Sequence, residues 1–361
     1  MTTQVTVHGD RPYDVVIGRG LDDRIVAAIP ARAAMVAIMH APFIAASAQL
    51  LAAEVEARGM RALLIELPDA EAAKTAQTAD ACWQALGAAG FTRSDCIVSF
   101  GGGATTDLAG FIAATWLRGV DIVHVPTTML AMVDAAVGGK TGINTSAGKN
   151  LVGSIHPPAA VICDLDRLAT LPRADLAAGF AEVVKAGFIA DTEILDIIEA
   201  DPEAALDPSG PVIDDLVSRA VQVKAAVVAD DLTESIDRIL GREVLNYGHT
   251  LGHAIEVSQN YTWRHGDAIS VGMLFAAALS RAEGGLTDAD VRRHRDILQS
   301  LGLPTRFPQP QLWPDLVAAM RIDKKARGAT MRFIVLDGFG RPALLAGPPQ
   351  SVLDDAFQEV S

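Results

Sequence analysis

Two textures divide the pattern of apolar and polar positions. Over about the first 165 residues, short apolar runs alternate with segments at helical spacing. TQVTVHG and YDVVIG alternate residue by residue and predict a pair of strands, while MVAIMH, ALLIELP, CIVSF and VDIVHVPTT are apolar runs of strand length. Between them, FIAASAQLLAAEVEARG, ended by Gly59, and the stretch from about Glu71 to Gly90 read as helices; GGGATTDLAGFIAATWLRG opens another. Strands separated by helices predict a parallel α/β sheet. After about Leu171, AGFAEVVKAGFIA, PVIDDLVSRAVQVKAAVVAD, a helix around HTLGH, and AISVGMLFAAALSRAEGG follow one another, and strand signals nearly vanish apart from TMRFIVL. The expected plan is an α/β domain over 1–170 and a mostly α-helical domain over 171–361. DPEAALDPSGP, at 201–211, reads as a helix–helix connection.

Composition narrows the function. With 361 residues, half of them apolar and only 5% aromatic, the chain can bury a core of closely packed helices. The formal net charge of −14 and the lack of a basic stripe exclude general nucleic-acid binding. Such a chain must gather its lysines and arginines in one pocket to bind an anionic substrate. Cys82, Cys96 and Cys163 are scattered without a CxxC spacing, which predicts buried free thiols in a reducing cytoplasm. No signal peptide or transmembrane run is read, so no membrane partner is expected.

Three motifs carry chemistry. SFGGGATTD sets three glycines between a strand and a helix, where backbone N–H groups and the helix N-terminus can cradle a dinucleotide pyrophosphate. Thr106 replaces the third glycine of GxGxxG, and a bare strand-to-helix turn is the plainer alternative. GGKTGIN resembles part of a P-loop, but Asp134 stands where its first glycine belongs, which excludes that mode of ATP hydrolysis. It leaves a glycine-rich turn presenting Lys140, with Lys149 and Asn150 following; a solvated hairpin would look the same. NYGHTLGHAIE sets His249 and His253 four apart on one helix face. The glutamate of HExxH is missing, which excludes a zincin protease. His265 follows in TWRHGD, and Glu182 lies upstream with Lys185 one turn later. One carboxylate and two imidazoles with an open fourth position make a catalytic zinc pattern. Spacing does not choose between His249 and His253.

GGGATTDLAGFIAATWLRG, VPTTMLAMVDAAVGGKTGIN, GKNLVGSIHPP, GFAEVVK, LNYGHTLGHAIE and HGDAISVGM, in that order, resemble the 3-dehydroquinate synthase family of sugar-phosphate cyclases. The resemblance runs from ELPDAEAAK to DKK near 325. It implies a Rossmann-like parallel sheet in an NAD-binding domain, a helical metal- and substrate-binding domain, an active site in the cleft between them, and a cytoplasmic homodimer. It implies a metal site of Glu182, His249 and His265, loaded with Zn2+ or Co2+, with His253 facing the substrate. NAD is implied at Gly102, Gly103, Asp107, Thr127, Thr128 and Lys149, with Glu71 and Lys74 near the adenosine ribose. Arg118, Asp134, Lys140, Asn150, Lys185, Lys224, Arg242, Asn246, His253 and Lys324 are implied to line the pocket of a small sugar-phosphate substrate. The chain departs from the family in two places. His40 stands where an acid often ends the second α/β strand, and AAVVADDLTESIDRILGREV is longer than usual.

The implied reaction takes 3-deoxy-D-arabino-heptulosonate 7-phosphate to 3-dehydroquinate and phosphate. It proceeds by transient oxidation with NAD, β-elimination of phosphate, re-reduction, ring opening and aldol closure. The departing phosphate itself takes the C6 proton. Two other enzymes share the plan: a metal-dependent polyol dehydrogenase of the glycerol dehydrogenase type, and a cyclase making another carbocycle. The basic cluster argues against the first, because a neutral polyol needs none. Arg242 and Asn246 favour the seven-carbon acid over the second. A non-enzymatic NAD-binding regulator would need no Glu/His/His set.

Overall fold

In the computed structural model, residues 2–146, 148–231, 240–323 and 330–361 are described. The chain forms two compact units: residues 1–171 with 224–229, and residues 172–223 with 230–361.

The first unit is built on strands β1 (Thr3–Val7), β2 (Tyr13–Gly18), β3 (Met35–His40), β4 (Arg61–Glu66), β5 (Cys96–Gly101) and β6 (Asp121–Pro126), the hairpin β7 (Lys140–Thr145) and β8 (Gly148–Ile155), and β9 (Ala160–Asp164). Seven of them form one sheet in the order β1-β2-β9-β6-β5-β3-β4. The β1–β2 pair is antiparallel and every other pairing in that sheet is parallel. Every residue of β3, β5, β6 and β9 is buried, as expected of strands covered on both faces. Helices α1 (Asp22–Ala28) and α2 (Ala45–Ala57) cover one face, packing Ile25, Leu51 and Val55 against Val36, Val98 and Val123. Helices α3 (Ala76–Ala89) and α4 (Gly103–Thr115) cover the other, packing Leu86, Leu108 and Ile112 against Ala37, Ile97 and Ile122. Alternate strand residues therefore feed the two cores. The chain runs outward from β3 to β4, then returns to place β5 on β3's other side. That reversal is a topological switch point, and open α/β sheets bind ligands at the carboxyl ends of the strands beside such a point.

The sequence pattern missed some details. The helix expected from Glu71 begins at Ala76, because Thr75 caps it by accepting from the Thr78 N–H, and a 3-10 turn occupies Ala70–Ala73. TMLAMVDAAV contains a π-turn at Ala131–Ala135. The strand β9 and the β7–β8 hairpin complete the unit.

The second unit contains α5 (Arg173–Ile189), α6 (Glu193–Ala200), α7 (Pro202–Ala205), most of α8 (Pro211–Asp230), α9 (His249–Ser258), α10 (His265–Ala282), α11 (Asp288–Ser300), α12 (Trp313–Asp323) and α13 (Gln350–Gln358). The hairpin β10 (Arg332–Leu336) and β11 (Pro342–Ala346) adds a second strand to the one expected from TMRFIVL. The segment read as a plain connection at 201–211 contains the single turn of α7, capped by Asp201 and opened by Pro202. Helix α5 is buried from Leu176 to Ile189 and α10 from Ala268 to Ser280, on all sides, which makes them the core helices of the unit. Cys82, Cys96 and Cys163 are free and buried. No described helix is long and apolar enough to cross a membrane.

Candidate metal and cofactor sites

Glu182 sits in the middle of α5, and Lys185 lies one turn on. The Lys185 Nζ pairs with Glu182 Oε2, and both side chains are almost wholly buried. The other oxygen, Oε1, is buried without a hydrogen-bond partner among the described residues. His249 Nε2 and His265 Nε2 each lie 3.5 Å from it. An unsatisfied buried carboxylate oxygen is costly. Facing two imidazole nitrogens, it makes an O/N/N donor set of the kind that holds a divalent metal and leaves one position open. These residues fit a metal ion.

Two close helix crossings bring the donors together. A methyl group at Gly266 would overlap the carbonyl oxygen of Ala178, one turn before Glu182. Gly266 therefore lets the start of α10, with His265 as its first residue, lie against α5. At Gly272 a methyl would overlap the carbonyl oxygen of Gly248, so α10 also lies against the N-terminus of α9, whose first residue is His249. Each ring is held from behind: His249 Nδ1 is 3.1 Å from the Tyr247 carbonyl oxygen, and His265 Nδ1 is 3.2 Å from Glu256 Oε2. With Nδ1–H donating, both rings direct their Nε2 toward Glu182. His253, one turn after His249, does not join the Glu182 set; it groups with Glu256 and His265.

The charges suit ligation. Burial opposes ionisation of Glu182, but Lys185, then His249 and His265, hold its carboxyl well below the usual range. Burial, then Lys185, pushes the His249 imidazole well below its ordinary value, so it is neutral. Burial works against a charge on His265, but the Glu182 and Glu256 carboxylates outweigh it and push this imidazole up to about 10. Binding a cation at His265 therefore releases a proton near neutral pH.

In the first unit the glycine loop ends β5, and Gly102 caps α4. A Cβ at Gly101 would fall 2.5 Å from Thr105 Oγ1, so the turn itself demands that glycine. Gly102 and Gly103 are less confined; their nearest neighbours would be Thr128 Cγ2 and Ala135 Cβ, each at 3.3 Å. Thr127 follows β6 alongside, its N–H donating to Gly101 O at 2.9 Å. Its hydroxyl is buried and lacks a hydrogen-bond partner among the described residues, as a polar ligand's contact would be. Lys74, wholly buried, donates to Asp107 Oδ2 at 2.5 Å and to Asn150 Oδ1 at 2.6 Å. Glu71 accepts from Asn144 Nδ2 at 2.6 Å and lies 3.9 Å from Lys149 Nζ. The helix N-terminus, the glycines and the orphan hydroxyl fit a dinucleotide. His40 is buried at the end of β3 with Nδ1 3.0 Å from Ala41 O.

The remaining expected residues are spread out. Lys140 is exposed at the start of β7. Lys224 contacts the carboxylate and carbonyl of Asp134. Arg242 is buried and opens a 3-10 turn that Asn246 ends, three residues before His249. Arg118 precedes β6 whereas Thr127 and Thr128 follow it, so roughly 20 Å of strand separates them. Within one chain Arg118 therefore does not join the loop residues. It lines a pocket of about 490 Å³ with Arg11, Arg32 and Arg93. Lys324 and part of the long segment before LNYGH lie outside the described residues. Glu256 and the Tyr247 carbonyl were not singled out in the sequence. Glu256 had a signal, since it shares a helix face with His249 and His253 at i, i+4 and i+7.

Comparison with known proteins gives the family. The family model for the 3-dehydroquinate synthase N-terminal region matches residues 64–178, and that for the C-terminal region matches 179–326. A 3-dehydroquinate synthase of Streptomyces coelicolor is 56% identical over 353 residues, covering 98% of this chain and 96% of the relative. Among solved structures, 2-deoxy-scyllo-inosose synthase, complexed with carbaglucose-6-phosphate, NAD+ and Co2+, is 27% identical with a TM-score of 0.87 over 100% of both chains. The 2-epi-5-epi-valiolone synthase of Streptomyces hygroscopicus, with NAD+ and Zn2+ bound, is 25% identical with a TM-score of 0.87 over 99% of both. The chain belongs to the 3-dehydroquinate synthase family.

Proposed function

We propose that this chain converts 3-deoxy-D-arabino-heptulosonate 7-phosphate to 3-dehydroquinate and inorganic phosphate, using NAD and a divalent metal. The observation that carries the reading is the convergence of Glu182 Oε1, His249 Nε2 and His265 Nε2, with the carboxylate oxygen otherwise unpartnered, in a chain of this family. When bound, NAD supplies a hydride acceptor and donor, and the metal supplies a Lewis acid that lowers the pKa of a ring hydroxyl.

Glu182, His249 and His265 hold the metal. Gly102, Gly103, Asp107, Thr127, Thr128 and Lys149 hold NAD, with Glu71 and Lys74 toward its adenosine ribose. Lys140, Asn150 and Lys324 bind the substrate phosphate, with His253 nearby; lysine does this as a point charge. Because Asn150 Oδ1 accepts from Lys74, its Nδ2 is left as the donor for a phosphate oxygen. Arg242 and Lys224 bind the carboxylate and ring hydroxyls, with Asn246 beside them, and Asp134 orients Lys224. Lys185 keeps Glu182 ionised. The departing phosphate takes the C6 proton, so no side chain serves as a strong base there. The enzyme works as a homodimer in the cytoplasm.

The test is to mix the protein with the heptulosonate phosphate, NAD and zinc, follow phosphate release and identify the organic product. Release that depends on NAD and metal and yields 3-dehydroquinate without net NADH is expected. No release from folded, loaded protein would overturn the assignment.

A further inference from the structure

We infer that Glu256 is a positioning residue of the metal centre: its carboxylate holds the His265 ring in place and thereby sets how tightly the centre binds a divalent cation. The inference rests on the proposed metal site. His265 is the most exposed of the three donors, with its side chain 24% accessible against 11% for His249 and 3% for Glu182. As the first residue of α10, it has no preceding helical turn to confine its ring. Glu256 supplies that confinement. It is buried, lies on the same face of α9 as His249, and its Oε2 is 3.2 Å from His265 Nδ1. The ring thus spans two carboxylates, with Nδ1 toward Glu256 and Nε2 toward Glu182.

The two rings are secured differently. His249 is held by the Tyr247 main-chain carbonyl, which no side-chain replacement removes. His265 is held by an acidic side chain, which places a further negative charge behind the ligand. Helix α9 therefore provides one ligand at its first turn and the support for the other near its end. The crossing at Gly272 keeps α9 and α10 in the register this requires.

The test is the zinc affinity of the full chain, by competition with a chromophoric chelator, for the wild type, Glu256→Gln and Glu256→Asp. Absorption spectra of the Co2+-loaded proteins and circular dichroism accompany it. Glu256→Gln should weaken zinc binding about 10- to 100-fold and shift the cobalt bands. Glu256→Asp, which keeps the charge, should fall between the two and serves as the test if the Gln variant does not fold. Unchanged affinity and cobalt spectrum in the folded variants would overturn the inference. So would metal retained by Glu182→Gln but lost from Glu256→Gln, which would make Glu256 a ligand. A wild-type chain that bound neither ion would instead overturn the metal site itself.

Discussion

Lys74 and Lys185 are both buried lysines bonded to a carboxylate, but their surroundings differ. In the glycine-loop region, Lys74 serves two acceptors at once, Asp107 and Asn150, while Glu71 is engaged by Asn144. That network closes on itself and braces α4 against the β7–β8 hairpin; one nearby hydroxyl, that of Thr127, is left over. In the helical unit, Lys185 satisfies only one oxygen of Glu182, and the other faces two imidazoles. A dinucleotide can be met by backbone and a few spare donors. A metal requires a full charge to be left deliberately unfinished in an apolar helix core.

Replacing Lys185 with Met should have the largest effect on stability. Removing one partner of a buried pair costs roughly 3–5 kcal/mol. Urea unfolding in a chelator should show that loss, and zinc should restore much of it by satisfying Glu182. Equal losses with and without zinc would mean that the carboxylate does not serve a metal.

Lys74→Met should cost less, about 1–3 kcal/mol, because the Asp107 carboxylate it strands is still 20% exposed. Its signature is pH. Burial raises the Asp107 carboxyl against the opposing pull of Lys74, so without the lysine it rises further. A carboxyl whose folded value lies above its unfolded one stabilises the fold below the unfolded value and loses that contribution as pH rises through the folded one. The deficit should therefore be largest at neutral pH and shrink in acid. A deficit independent of pH would contradict this account.

Thr127→Val should have the smallest effect. Replacing a buried, unpartnered hydroxyl by a methyl of similar shape leaves stability unchanged or slightly higher. NAD affinity should fall by about fivefold, the equivalent of one hydrogen bond. A thermal melt and an NAD titration separate the two; unchanged affinity would remove Thr127 from the cofactor site.

The sequence disclosed these regions unequally. MVAIMH and CIVSF are legible as strands because both faces of a parallel sheet are covered, leaving continuous apolar runs. The glycine triplet and HTLGH carry local signals of turn and helix face. Strand β9 is five residues long and gains its identity from β2 and β6, partners distant in the chain, which no local pattern reports. The metal donors come from α5, α9 and α10, and their meeting depends on Gly266 and Gly272, ordinary residues until the helices cross. Spacing alone thus left His249 and His253 equivalent, whereas packing brings His249 to Glu182 and leaves His253 outside that set.

The most direct measurement is the metal content of purified wild type, His249→Ala, His265→Ala and His253→Ala after loading with zinc and desalting. The account predicts about one zinc per chain in the wild type and in His253→Ala, and almost none in the other two. An empty site in His253→Ala, or a filled one in His249→Ala, would contradict it.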